Sequence, residues 1–370
     1  LNVQMLTIHT LMLPLKQPFV THSTTIHEKP VVILELTDGD GLSGYGELVA
    51  LPDPFYTEET YFTAKTMIAE VLWPLLHQAF PISHPKELQR VFRHVKRNKM
   101  AIAAIESAFW DLYAKQSGQP LYQLLGGTKQ NVQAGIAIGQ KQRQEDLFHA
   151  IQEAIEQGYK RVKLKISKDN DLQLIKAVRE RFPSVPLMAD ANSAYTLEDL
   201  QQLKQLDEFN LSMIEQPFAY DDFLDHAVLQ AELKTPVCLD ESIASMNDLK
   251  TAIALQSCRI VNIKIGRVGG LQTAIEMVAF CQEKNIGVWC GGMIESGIGR
   301  AHNIAFATLP GVDLPGDLVG SSHYWERDII APEITVHNGL VAVSSHFGLG
   351  YDLQETVFAQ LVKQTETLTV

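Results

Sequence analysis

The sequence predicts an α/β protein: a TIM-like (β/α)7β barrel with an α+β N-terminal capping domain that the C-terminal segment completes. Short apolar runs begin at 161, 185, 211, 236, 259 and 286, so they recur every 23–27 residues. Amphipathic helical patterns fill the gaps: Leu147, Ile151, Ala154 and Ile155 share one face, as do Leu271, Ile275 and Val278. Continuous apolar strands alternating with such helices indicate βαβ units and a parallel sheet. A repeat this regular favours a closed barrel. The open doubly wound sheet is the alternative, but no G-x-G-x-x-G follows a first strand.

The elements follow in order. Residues 2–13 and 30–37 read as strands, the second ending in the turn signal Asp38-Gly39, and LSGYGEL at 42–48 reads as its partner. The polar stretch 17–30 and the stretch 50–60 read as loops, the latter carrying Pro54, Phe55 and Tyr56. Residues 57–117 read as helices, with a start at Thr57-Glu58-Glu59. Ile102, Ile105, Ala108, Phe109 and Leu112 fall at helical spacing before a stop at Gly118. The barrel runs begin with VQAGIAIG at 132, and an eighth strand is expected near 311–317. Strand-like pieces and a final helix, 353–363, are expected to return to the cap. This gives a capping domain over 1–125, a barrel with the metal site over 126–330, and a C-terminal segment over 331–370 that packs back on the cap.

With 370 residues, 46% of them hydrophobic and 20% charged, the chain has the composition of an ordinary globular protein large enough for a sizeable core. Its formal charge of −12 argues against nucleic acid and anionic membrane as partners, while leaving room for a small anionic carboxylate substrate at a locally positive site. Cys238, Cys258, Cys281 and Cys290 form no C-x-x-C pair and no zinc motif. Buried reduced thiols are expected, and with them a cytoplasmic protein. No apolar run approaches the ~18 residues of a membrane span, and no signal peptide is expected.

The chemistry lies between 163 and 264. Asp190, Glu215 and Asp240 each end an apolar run, at spacings of 25 and 25. Strand ends of a β/α barrel build the active site, and three carboxylates from consecutive strands make a hard-oxygen site. Magnesium suits it best, with manganese or another divalent ion as alternatives. Lys163 and Lys165 are two apart on a strand and so share the inward face. Burial and mutual charge are expected to lower a lysine's pKa toward ~7–8 and make it a general base, with Lys163 supplying charge to Lys165. Lys264 lies four strands further round. An amine on each face of a planar intermediate suits removal of a proton α to a carboxylate, with a metal stabilising the enediolate charge.

With these residues in place, the chain resembles the enolase superfamily and, within it, the muconate lactonizing enzyme subgroup. The motifs that carry the resemblance are AAIESAFWDLYAKQSGQPLYQLLGG in the cap, K-x-K at 163–165, D-x-N at 190–192, E-Q-P at 215–217, D-E at 240–241 and K-x-G-R-x-G-G at 264–270. GGMIESGIGRAHN at 291–303 is similar to the o-succinylbenzoate synthases of the kind that include N-succinylamino acid racemases.

The resemblance implies that Lys165 is the general base, that Lys264 works on the opposite face, that Lys163 tunes the site, and that Asp190, Glu215 and Asp240 hold the metal. It implies substrate contacts from Asn192, from Gly291, Gly292, Met293 and Ile294 against a succinyl tail, and from Phe19 and Phe55 in loops that close over it. A homo-oligomer is expected on the same ground. The implied reaction is syn dehydration of 2-succinyl-6-hydroxy-2,4-cyclohexadiene-1-carboxylate in menaquinone biosynthesis. Racemisation of N-succinylamino acids on the same site is the alternative, and a non-catalytic metal-binding barrel is a third reading against which the intact lysines argue. Mandelate-racemase-like enzymes carry a His base where this chain reads Trp289-Cys290-Gly291, and dipeptide epimerases carry a D-x-D where it reads Asp313 to Asp317.

Overall fold

A computed structural model of the chain describes residues 1–20 and 25–369. The N-terminal part is a four-stranded antiparallel sheet in the order Val362–Thr369, Val3–Val20, Thr25–Asp38, Ser43–Leu48. Alternate residues of the second strand feed two different cores. Val32, Leu34 and Leu36 join the cluster inside the cap, whereas Val31 and Ile33 join the large cluster that extends through the barrel. A sheet buried on both faces needs a continuous apolar strand rather than an alternating one, which is why PVVIL reads as it does.

The helix Lys99–Gln116 lies between cap and barrel, and all but five of its eighteen residues are buried. It approaches Ser43–Leu48 closely because both elements are small at the contact. A Cβ on Gly46 would stand 2.2 Å from the Ala104 carbonyl oxygen, and one on Gly44 would stand 2.5 Å from that of Ala108. The same helix grips the barrel. Its Glu106 carboxylate accepts from the backbone N–H groups of Leu271 and Gln272 at 2.5 and 2.8 Å, capping the barrel helix Leu271–Glu283.

Burial pushes the Glu106 carboxyl up to about 7, against the opposing pull of those N–H bonds. The folded protein therefore holds a proton that the unfolded chain releases near pH 4.5, and stability contributed by this group falls as pH rises from there to about 7. Glu106→Gln should remove that contribution to the slope. Melting temperatures of both proteins at about pH 5 and about pH 7 check it; an undiminished fall in the variant would mean that Glu106 does not titrate in that window.

The barrel contains seven parallel strands in sequence order: Ile136–Ile138, Val162–Lys165, Leu187–Asp190, Ile214–Glu215, Val237–Leu239, Ile260–Ile263 and Gly287–Cys290. Each is followed by helix. The expected eighth strand is not formed; its position is taken by residues 314–317, which carry a single bridge between Gly316 and Ala134. Leu314 and Asp317 donate to Val288 and Cys290 on one side, and Gly316 exchanges hydrogen bonds with Gln133 and Gly135 on the other, which links the two edges of the sheet.

Several expectations need correction. The stretch 17–30 is mostly strand: the first two strands run on as a long antiparallel arm, with Phe19 paired to Ile26. Ladder pairing outweighs its polar composition. The helix expected to start at Thr57 starts at Tyr61 with Thr60 as its cap. Glu59 instead accepts from Met100 and Ala101 at the head of Lys99–Gln116. In VQAGIAIG, Asn131–Gln133 leaves the barrel and pairs with Leu340–Ala342. After a final helix, Glu355–Leu361, the chain forms the cap strand Val362–Thr369, which the sequence pattern does not predict. All four cysteines are free and buried. No helix among the described residues is long and apolar enough to cross a membrane.

Candidate active site

The strand ends gather the predicted residues at one mouth of the barrel. Lys165, Asp190 and Glu215 stand in register on three neighbouring strands. Asp240 follows Val237–Leu239, and Lys264 follows Ile260–Ile263, four strands round from the strand of Lys165. Asp190, Glu215 and Asp240 are buried. Lys163 is buried with them, while the Lys165 side chain, at the strand end, keeps 36% of its exposure.

The acids divide the cations among themselves. The Lys163 ammonium lies 2.8 Å from Asp317, 3.3 Å from Glu215 and 3.6 Å from Asp190. Lys165 donates to the Asn192 amide oxygen and lies 3.7 Å from Asp190. Across the mouth, Lys264 donates to Asp240 at 2.9 Å and to the Tyr56 hydroxyl at 2.8 Å. Arg267 also reaches Asp240 and donates to Tyr56 at 2.7 Å. Glu215 accepts from Asn262 at 2.8 Å.

This arrangement sets the electrostatics of two lysines. Burial works to lower the pKa of Lys163, but Asp317, Glu215 and Asp190 outweigh it and raise the group well above its ordinary value. Burial of Lys264 is likewise outweighed, chiefly by Asp240 and then Tyr56. Carboxylates, and not other ammonium groups, are the nearest charged neighbours of both. The acids show the converse. Burial, then Asp190, pushes Glu215 up to about 8 despite Lys163. Burial would raise Asp240 too, yet Lys264 and Arg267 hold it below the usual carboxylate range.

The donor set fits a divalent ion. Among the cations, only Lys163 reaches Glu215, and it is shared with Asp190 and Asp317; a Glu241 carboxylate oxygen is buried without a hydrogen-bond partner. Glu241 itself is pushed up to about 7 by burial and by Asp240 and Asp190. Hard oxygen donors short of positive charge are what magnesium or manganese would satisfy. Among the described residues, no three His, Cys, Asp or Glu side chains are gathered into a chelating cluster as they stand; both oxygens of Asp240 are engaged by Lys264, Arg267 and Tyr56.

The other predicted contacts are distributed around this centre. Asn192, at φ +40, joins Lys165 to Glu241, donating to the latter at 3.3 Å. Gly291 lets the backbone lie against Lys264: a Cβ there would be 2.7 Å from its Cγ. Met293 is buried in the cap's cluster, and Ile294 packs at the edge of the barrel's. The Gly292 site leaves a Cβ 3.1 Å from the Asp317 carbonyl oxygen. Phe55 is 49% exposed on its loop. Phe19 lies on the first strand, and its side chain is outside the described residues.

Sequence reasoning missed Tyr56, Asn262 and Asp317 as members of the site and gave Arg267 and Glu241 only as motif letters. Tyr56 adjoins Phe55 in the loop already singled out, so its position was visible but its role was not. Tyr56→Phe deletes a bond to each of Asp240, Lys264 and Arg267. Bonds to charged groups contribute about 1.5–3 kcal/mol, so a fall in kcat of tenfold or more is expected, on the order of 1.4 kcal/mol in the barrier. An unchanged kcat would remove the Tyr56 hydroxyl from the working site.

The match to known proteins covers almost the whole chain. Residues 4–126 match the family model described as mandelate racemase / muconate lactonizing enzyme, N-terminal domain, and residues 146–357 match enolase C-terminal domain-like. An o-succinylbenzoate synthase from Geobacillus kaustophilus is 51% identical over 99% of both chains. An N-succinylamino acid racemase from Thermus thermophilus is 43% identical over 96% of this chain and 95% of its own. The solved structure of an enolase superfamily member from Listeria innocua superposes with a TM-score of 0.97 at 43% identity, covering 100% of this chain and 99% of its own.

Proposed function

This chain belongs to the mandelate racemase / muconate lactonizing enzyme family of the enolase superfamily, and from that membership we propose that it is an o-succinylbenzoate synthase. It would be a lyase that dehydrates 2-succinyl-6-hydroxy-2,4-cyclohexadiene-1-carboxylate in menaquinone biosynthesis, in the cytoplasm, with magnesium as its ion. The observation that carries the reading is the difference between the two lysines that face each other across the mouth. Lys165 stands partly open beside Asp190, and Lys264 is clamped as a cation four strands away, with the acids between them.

Lys165 takes the proton from the carbon α to the substrate carboxylate. The same ammonium, still on that face, returns the proton to the departing hydroxyl, so water leaves and the ring becomes aromatic. Lys264 stays charged and faces the developing enediolate. Lys163, anchored by Asp317, is a fixed charge that keeps the acids together. Asp190, Glu215 and Asp240 would hold the divalent ion that superfamily members use, and that ion supplies positive charge to the substrate's carboxylate oxygens. Asn192 holds the Lys165 ammonium.

Racemisation of N-succinylamino acids is the second reading. The two-faced placement of amines favours it, as does the close relative that bears that name. The test is direct. Protein loaded with magnesium should consume the cyclohexadiene, and in heavy water it should exchange the α-hydrogen of an N-succinylamino acid if it also racemises. Neither event at any metal loading would leave a non-catalytic barrel as the reading.

A further inference from the structure

The loop Gly291–Ile294 is held by the capping domain. Ile294 sits at φ +58, the left-handed region that a β-branched residue adopts only under strain. The ammonium of Lys29 donates to the Ile294 carbonyl at 2.8 Å. Next along the chain, Glu47 accepts from the Ser296 backbone N–H at 3.1 Å, from its hydroxyl at 2.6 Å and from the Gly299 N–H at 3.0 Å, capping the helix Gly297–Ala307. Within the loop, Met293 donates to Glu295 at 2.7 Å.

Lys29 and Glu47 come from the antiparallel sheet, on Thr25–Asp38 and Ser43–Leu48. Their charged ends are 3.8 Å apart, and their side chains are 3% and 0% exposed. Space around them is filled: a Cβ on Gly299 would stand 2.8 Å from Glu47. A buried ion pair is a poor source of stability, since desolvation offsets its attraction and apolar residues of like volume serve as well or better. Its bonds instead reach the backbone beside the site: Lys29 holds the strained Ile294 directly, and Glu47 holds Ser296 and Gly299 just beyond it.

We propose that Lys29 and Glu47 are positioning residues, a buried pair of the cap in which Lys29 holds the Ile294 end of the Gly291–Ile294 loop and Glu47 fixes the helix start that follows it, together keeping the loop in the shape that seats the substrate's acyl tail. The cap thereby sets the fit of the tail through the backbone of this loop. The inference rests on the assignment of this loop to the tail.

Two measurements on Lys29→Met and Lys29→Arg test it. In Lys29→Met, backbone hydrogen exchange over 291–296 should quicken about tenfold, the effect of losing one bond from a charged donor, while the helix Leu271–Glu283 keeps its protection. For an N-succinylamino acid KM should rise about tenfold with kcat within about twofold, whereas an N-acetyl analogue, which lacks the distal carboxylate, should be little affected. Lys29→Arg, which keeps a charged donor, should recover part of both effects. Unchanged exchange over 291–296 would overturn the proposal, and so would an equal loss of kcat toward both substrates with KM unaltered, the pattern of a merely less stable protein. If the wild-type protein turns over neither N-acylamino acid, the racemase reading falls and the synthase reading stands, while the exchange comparison still decides the role of Lys29.

Discussion

Glu215→Gln should abolish activity and, with it, the thermal stabilisation that magnesium confers. Glu215 is the middle acid of the three, fully buried and in register with Asp190. Burial and the neighbouring acids push its carboxyl up to about 8, so the pocket around it wants more positive charge than Lys163 alone provides. Glutamine keeps the shape and can still accept from Asn262, but it removes a charged hard-oxygen donor. An ion that binds only the folded state raises apparent stability by about 2.7 kcal/mol at a hundred times its Kd. The wild-type melting temperature should therefore rise with added magnesium, and that of Glu215→Gln should not. The variant must be shown folded without the ion. Retained activity, or an undiminished shift, would mean that the three strand-end acids are not the ligand set.

The fold class was legible because a barrel writes itself twice. The apolar runs recur at the spacing of one strand plus one helix, and each ends at the residue the mouth requires, as Asp190 and Glu215 do. The C-terminal strand was not legible. VKQTETLT is mostly polar and exposed, and its strand conformation comes from pairing with Val3–Val20 across the length of the chain, which no local pattern encodes. The charge partners of Lys163 were not legible for a related reason. Lys163 and Lys165 are close in sequence, so their repulsion was easy to foresee. The acids that surround Lys163, Asp317 above all, lie far from it in sequence. Tyr56 reaches Lys264 from the cap in the same way. Residues that work through the strand on which they lie are readable; residues that work across the barrel mouth, or between cap and barrel, need the fold.

Lys264→Arg should nearly eliminate racemisation, by a factor on the order of 10²–10⁴, and should spare much more of the dehydration. Racemisation requires one lysine to remove the proton and the other to deliver it to the opposite face, and for the reverse enantiomer the roles exchange. Lys264 must then serve as a base in one direction and an acid in the other. Dehydration with syn geometry uses Lys165 for both transfers and needs only the charge of Lys264. The surroundings of Lys264 suit that purely electrostatic role, because Asp240 at 2.9 Å and Tyr56 at 2.8 Å hold it as a cation. Arginine preserves the charge and cannot act as a base near neutral pH. Lys165→Arg, by contrast, should destroy both reactions, since each begins with that amine. Arginine is bulkier than lysine, and Gly291 packs against the Lys264 stem, so absolute rates in Lys264→Arg will carry a steric loss. The informative quantity is the ratio of the two activities within the one variant, measured with the metal-dependent melting shift intact. If both activities fall by the same factor, Lys264 transfers a proton in the dehydration as well, and the division of labour between the two faces is wrong.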